Sequence, residues 1–489
     1  MKFELELFSL LKARYPILYL VSNEEDRVEY IVRKFTKEKL NRNIYVWNFV
    51  DGYQNNLTYK NFGQRNPLQA LEFIEKLTSN SNALIILKDF QKFLSDISVL
   101  RKLKNLLRLL KKQNKTIVIL ATEVNIPLEL LDFVYVLKLP LPNINEIRIE
   151  ILRLLNLLNE APDEKFLEIL IQSFQGLSLE KIRRLLARIL STSSKFNSNA
   201  LKLILAEKKQ ILNQTQILEY YSTNVSLEDI GGLNNLKLWI QNRSNAFSEK
   251  ATVYGLPTPK GVLLVGIQGT GKSLTAKAIA NEWKFPLLKL DVGRIFGSLV
   301  GESESRLRKM ITIVEALAPC ILWIDEFDKF SANLNTQNSN ETTNRVFATL
   351  LTWLAEKNNQ VFVIATANSM EKLPLEIVRK GRFDEIFFLN LPTYKERKKI
   401  FEVLLKKYRP DTFQNYNIVD LSNNSTYFSG AEIEQAIING MLNAFNVKKD
   451  FNTHDILNSL QEIIPLAKVH KEEIEILQKW AFSGRIRCA

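Results

Sequence analysis

One octapeptide limits the possible folds of this chain more than any other feature. Gly266-Ile-Gln-Gly-Thr-Gly-Lys272-Ser273 follows the apolar run Gly261-Val-Leu-Leu-Val265 and opens a stretch, Leu274–Trp283, with helical rhythm. A glycine-rich turn between strand and helix lets successive backbone N–H groups point inward, and the helix N-terminus adds partial positive charge at the same spot. Such a turn is a phosphate cradle. The pattern assigns nucleotide contact to Gly266, Ile267, Gln268, Gly269, Thr270, Gly271, Lys272 and Ser273. Lys272 is expected to reach the β- and γ-phosphates, and the Ser273 hydroxyl to bind Mg²⁺. The chain has only 17 glycines in 489 residues, so chance gives this pattern in roughly one such chain in a hundred or fewer. ATP with Mg²⁺ is the expected ligand.

A strand feeding a cradle needs a sheet around it. Strand candidates Leu287–Val292, Cys320–Ile324, Val361–Ala365 and Ile386–Leu391 alternate with helical stretches. Continuously apolar strands alternating with helices predict a parallel sheet covered on both faces. Beyond Pro392 the pattern is helical over Tyr394–Lys407, Gly430–Asn446, Asp455–Leu460 and Lys471–Ala481, a small lid-like domain. The strand Cys320–Ile324 ends in Asp325-Glu326. An acidic pair there is on its own only a helix cap. Some 50 residues after a complete phosphate loop, it is placed so that Asp325 holds the metal and Glu326 polarises the attacking water. A third strand ends in Ala365-Thr-Ala-Asn368, which puts Asn368 where it could orient that water.

At 489 residues the chain is too long for one core. Its first half repeats the second faintly. Ile17–Val21 is a strand, Ala83-Leu-Ile-Ile-Leu-Lys-Asp89 echoes Cys320–Glu326, and Thr116–Thr122 echoes Val361–Thr366. Ile126-Pro-Leu-Glu-Leu130 echoes Leu373-Pro-Leu-Glu-Ile377, and Phe174–Ile182 echoes Phe428–Ile433. The expected layout is a degenerate α/β domain without a phosphate loop at 1–150, a helical lid-like region at 151–210 and a linker at 211–225. The α/β core follows at 226–392, with a helical lid and C-terminal helix at 393–489. After its first strand the early copy has Ser22-Asn-Glu-Glu-Asp26, with no glycine cradle and no lysine, so it is expected not to bind ATP.

Residues 225–489 resemble an AAA ATPase module of the kind found in protein-remodelling hexamers and membrane-bound AAA proteases. The resemblance rests on Asp229-Ile-Gly-Gly-Leu233, Lys260-Gly-Val-Leu-Leu264, the phosphate loop, Asp325-Glu326, Gly381-Arg-Phe-Asp384 and Ser429-Gly-Ala-Glu-Ile433. It implies that Arg379 and Arg382 act as arginine fingers on a neighbour's ATP, and that the active form is a ring, a homo-hexamer. A guanidinium fork suits the growing charge on a γ-phosphate. Two departures stand out. Ile267-Gln268 replace the family's usual prolines, and Ser298-Leu299-Val300-Gly301-Glu302-Ser303 fits the first pore loop with leucine in place of the aromatic. Leu299 offers a smaller apolar grip for threading a polypeptide. The whole-chain layout, with Ile464-Pro-Leu466 and Trp480-Ala481 near the end, resembles a divergent AAA family encoded in algal plastid genomes and in cyanobacteria. That resemblance implies the chloroplast stroma, or the cytoplasm of a cyanobacterium.

The leading functional expectation is ATP-driven remodelling of a protein substrate or complex. The net charge of +13 allows a nucleic-acid motor or loader, but the lysines are scattered and no nucleic-acid module is present. A regulatory ATP-binding scaffold is a further alternative. A zinc metalloprotease is excluded, since its motif needs two histidines four apart and His454 and His470 are the only two. No apolar run approaches the ~18 residues that span a bilayer. With two cysteines, Cys320 and Cys488, a reducing compartment is favoured.

Overall fold

The computed structural model describes residues 2–36, 40–54, 61–78, 82–157, 164–192, 198–215, 217–221, 223–296, 302–328, 341–369, 373–379, 381–482 and 486–489. The chain divides into two compact units, Met1–Phe196 and Asn197–Ala489.

The first unit is built on β1 (Ile17–Val21), β2 (Asn43–Asn48), β3 (Gly52–Tyr53), β4 (Ala83–Lys88), β5 (Lys115–Ala121) and β6 (Val134–Lys138). Their order across the sheet is β3-β2-β4-β5-β1-β6, parallel except for the β2–β3 pair. Every residue of β1 and β5 is buried, as continuous apolar strands require. Side chains alternate between two cores, Ile85, Ile117 and Leu103 on one face and Leu84, Val118 and Val32 on the other. The helices Ile144–Leu157, Glu164–Phe174 and Leu179–Thr192 follow the sheet.

The second unit contains β7 (Leu218–Tyr221), β8 (Gly261–Gly266), β9 (Leu287–Leu290), β10 (Cys320–Ile324), β11 (Val361–Ala367), β12 (Glu385–Leu389) and β13 (Arg487–Cys488). They run β13-β12-β8-β11-β10-β9-β7, with β7 alone antiparallel to its neighbour. Residues 218–221, inside the segment read as a linker, therefore form an edge strand of this sheet. β9 stops at Leu290 because the Asp291 side chain accepts the N–H of Gly293 and starts a short helix. Helices Tyr394–Tyr408, Gly430–Asn446 and Thr453–Glu462 enclose a separate core of Phe401, Leu405, Phe428, Ile437 and Ile456. No helix among the described residues is long and apolar enough to cross a membrane.

Both sheets have the same parallel heart, β2-β4-β5-β1-β6 in one and β9-β10-β11-β8-β12 in the other. The registers correspond too. β4 pairs Ala83 with Lys115 as β10 pairs Cys320 with Val361, and β1 pairs Ile17 with Ile117 as β8 pairs Gly261 with Val363. Counting along these pairs puts Lys88 where Asp325 stands and Asp89 where Glu326 stands. Asp89 (φ 53°) and Glu326 (φ 51°) share a left-handed backbone.

At the first of these two positions the charge is reversed, lysine for aspartate. Lys88 lies 3.1 Å from Glu25 and 2.5 Å from Glu29, both on the helix Glu25–Phe35 that follows β1. The buried Glu24 carboxylate accepts from Arg27 at 3.0 Å and from the Leu179 N–H at 2.6 Å, at the start of helix Leu179–Thr192. Arg27 in turn donates twice to Glu146, at 3.0 and 3.1 Å.

Candidate active site

The loop after β8 keeps its shape because only glycine fits at its corners. A Cβ on Gly266 would lie 2.2 Å from the Leu389 carbonyl oxygen. Gly269 has φ +78°, and a Cβ there would lie 2.6 Å from Ser429 Oγ at the start of helix Gly430–Asn446. The Ala431 N–H donates to the Gly269 carbonyl at 3.1 Å, so the helical domain rests directly on the loop. Thr270 Oγ1 donates to the Ile267 carbonyl at 2.8 Å and tightens the turn. Ile267, one of the two departures from proline, is a packing residue, buried against Ala467 and Ile474 near the C-terminus.

Lys272 begins the helix Lys272–Trp283 and is 8 % exposed. Its ammonium donates back to the loop, to Gly266 O at 2.7 Å and Ile267 O at 2.8 Å. Burial pushes its pKa down to about 8, against the opposing pull of Asp328 and Asp325. Among the described residues these two carbonyls are its hydrogen-bond partners. Ser273 is half-buried one residue further on.

Asp325 and Glu326 sit at the tip of β10, flanked by β11 and β9. One Asp325 oxygen accepts from Thr366 Oγ1 at 2.6 Å, and the other lies 3.3 Å from Lys289 Nζ. The Glu326 N–H donates to the same Thr366 hydroxyl at 3.1 Å. Asn368 follows the end of β11.

Gln268 to Ser273, Asp325, Glu326 and Asn368 share one cavity of about 450 Å³, within the ordinary size of a small-molecule site. Gly266 and Ile267 are not among its lining residues. Arg379 and Arg382 are not in its wall. Arg379 is exposed, and Arg382 donates to the Glu376 carbonyl. Ser298, Leu299, Val300 and Gly301 of the pore-loop reading lie outside the described residues, whereas Glu302 and Ser303 open the helix Glu302–Ala316.

The rest of the wall was not assigned from the sequence. Asp229, Ile230 and Gly231 close one side, and Ile400, Leu404 and Glu434 of the helical domain close the other. The adjacent glycines were the available signal. A Cβ on Gly231 would lie 2.4 Å from Ile400 Cγ1, and one on Gly232 (φ +85°) 2.6 Å from Glu396. Glu396 also accepts the Leu233 N–H at 3.3 Å and the Thr393 N–H at 2.8 Å.

Three family profiles match the chain. The ATPase family associated with various cellular activities (AAA) covers residues 262–391. The N-terminal domain of SpoVK-like AAA ATPases covers 3–139, and the second domain of the same group 145–215. An AAA domain-containing protein ycf46 from Trieres chinensis is 55 % identical over all of this chain and 98 % of its own length. The chain belongs to the ycf46 family of AAA domain-containing proteins. The ycf46 protein of Guillardia theta is 53 % identical over the whole chain and 97 % of its own length. A cell division cycle protein 48 homologue from Archaeoglobus fulgidus is 31 % identical over 51 % of this chain and 35 % of its own length. The profile of the AAA module runs over β8 to β12 and includes Gln268 to Ser273, Asp325, Glu326 and Asn368 of the cavity wall. The first unit falls under SpoVK-like AAA profiles, in keeping with its shared strand order.

Proposed function

We propose that the second unit binds ATP with Mg²⁺ and hydrolyses it, and that the energy is used to remodel a protein substrate or complex. The observation that carries this is the convergence of the loop 268–273, the Asp325-Glu326 pair and Asn368 on one cavity. The loop's N–H groups and the helix N-terminus hold the phosphates. Lys272 exchanges its two carbonyl partners for the β- and γ-phosphate oxygens. Ser273 and Asp325 supply oxygen donors suited to Mg²⁺, whose charge, when bound, offsets the negative charge gathering on the phosphate oxygens. Glu326 accepts the proton of the attacking water, and Asn368 orients that water.

Arg379 and Arg382 lie outside their own cavity, which suits fingers that complete a neighbouring subunit's site. A finger in trans contributes roughly 10³–10⁵ in rate. The reading therefore includes a homo-oligomer, a hexameric ring. Kinship with ycf46 proteins of algae supports a plastid location.

The test is direct. ATP binding should vanish in Lys272→Ala, and Glu326→Gln should bind ATP while turning over at least about a hundredfold more slowly. Tight ATP binding by Lys272→Ala would overturn the assignment of the loop. Arg382→Ala should bind normally but turn over slowly, and mixing it with Lys272→Ala subunits should recover activity. Mixtures no more active than their components would remove Arg382 from the trans role. Capture with Glu326→Gln and ATP is the route to the substrate.

A further inference from the structure

Two side chains beside the acidic pair have no place in the roles above. β10 is bordered by β11 on one side and β9 on the other, and each neighbour sends one polar group to the same carboxylate. From β11 comes Thr366, next after the Ala365 that pairs with Ile324, and it is 2 % exposed. From β9 comes Lys289, paired with Trp323, its ammonium 4.6 Å from the centre of that indole ring. We infer that Thr366 and Lys289 are positioning residues that clamp the Asp325 carboxylate from both flanking strands, and that Thr366 joins Asp325 and Glu326 into one unit.

The argument is one of donors and acceptors. A free aspartate at a strand tip turns about its side-chain bonds and offers either oxygen to the cavity. Here Thr366 Oγ1 donates to Oδ1 at 2.6 Å and Lys289 holds Oδ2 at 3.3 Å, so the plane of the carboxylate is set. The short, charge-assisted bond is the stronger of the two, and the partly exposed ion pair is screened. The same Thr366 oxygen, its proton committed to Asp325, accepts the Glu326 N–H at 3.1 Å. Glu326 is left-handed at φ 51°, a conformation that withdraws its N–H from the parallel ladder. The threonine therefore fixes the angle at which Glu326 leaves the strand and the orientation of Asp325 together. Valine has the same shape but neither donates nor accepts, while serine keeps both functions.

The inference rests on the nucleotide-site reading, and its test separates the two. Binding of a fluorescent ATP analogue is measured with Mg²⁺ and with EDTA, alongside melting temperature, for wild type, Thr366→Val, Thr366→Ser and Lys289→Met. The gain in affinity on adding Mg²⁺ is the readout. In Thr366→Val that gain should shrink by about tenfold or more, with EDTA binding unchanged, and Thr366→Ser should restore it. Lys289→Met should alter it less, by about threefold. A full magnesium gain in Thr366→Val, or equal losses in the valine and serine variants, would overturn the clamp. A lower melting temperature with an intact gain would also overturn it, since Thr366 would then be structural only. Wild type showing no magnesium-dependent binding would sink the nucleotide-site reading, and the clamp with it.

Discussion

Lys272 holds its charge at neutral pH by a narrow margin. Its pKa of about 8 reflects burial, against an ordinary value of 10.5. The protonated form is the one that attracts phosphate, and a bound polyanion raises the pKa again. Affinity for ATP should therefore be flat below pH 8 and fall as pH rises through that value, by up to about tenfold per unit. Titrations from pH 6.5 to 9.5 check this, and a profile flat to pH 9.5 would show that the lysine stays charged in the free protein. Gly269→Ala is a second sharp case. The new Cβ would meet Ser429 Oγ at 2.6 Å at a φ of +78°, so the loop or the helix must move. We expect about tenfold weaker nucleotide binding and a loss on the order of 1–2 kcal/mol in stability, read by calorimetry. These two residues were legible because the cradle is a local pattern. Thr366 and Lys289 were not, because only the register of β9 and β11 against β10 brings them to Asp325, and no spacing along the chain encodes that register.

β1, β4, β5 and β8 to β12 announced themselves as short apolar runs, whereas β2, β3, β6, β7 and β13 did not. β7 is Leu218-Glu-Tyr-Tyr221, half-buried beyond its first residue, and β13 is only Arg487-Cys488. Edge strands carry polar residues because one side faces water, so composition hides them. The helical domain was legible as helices, but its contact with the loop 229–233 was not. That contact turns on Glu396, which accepts the N–H groups of Thr393 and Leu233 and the Thr393 hydroxyl at 2.8 Å. A capping box of this kind is worth about 1 kcal/mol, and the Leu233 bond ties the base of the helical domain to the cavity wall. Glu396→Ala should lower the melting temperature by a few degrees and weaken nucleotide binding severalfold. Glu396→Gln, which can still accept, should recover most of both. Equal losses in the two variants would mean that the charge, rather than the acceptor, matters.

Across the whole chain, one architecture occurs twice with opposite electrostatics at the same point. The second unit has a glycine-rich loop and the buried Lys272 after β8, beside the cavity. The first has its own carboxylates after β1, and Glu24, Glu25 and Glu29 are each paired with a cation. Glu24 accepts the Leu179 N–H at the start of a helix and is neutralised by Arg27, itself held by Glu146. The equivalent contact in the second unit is the Ala431 N–H on the Gly269 carbonyl, a neutral bond beside an open cavity. It follows that ATP should govern the helical domain of the second unit and leave that of the first unchanged. Hydrogen exchange on the intact protein tests this. ATP with Mg²⁺ should slow exchange in the segments around 266–273 and 430–446, and change nothing at 24–35 or 179–192. Glu24→Ala removes one partner of a buried ion pair and the acceptor of a helix N-terminus, a loss of about 3–5 kcal/mol. Exchange over 179–192 should then rise steeply while ATP affinity at the second unit stays as in wild type. If exchange there is unchanged, Glu24 does not hold that helix. If ATP restores protection in the variant, the first unit has kept a nucleotide site after all.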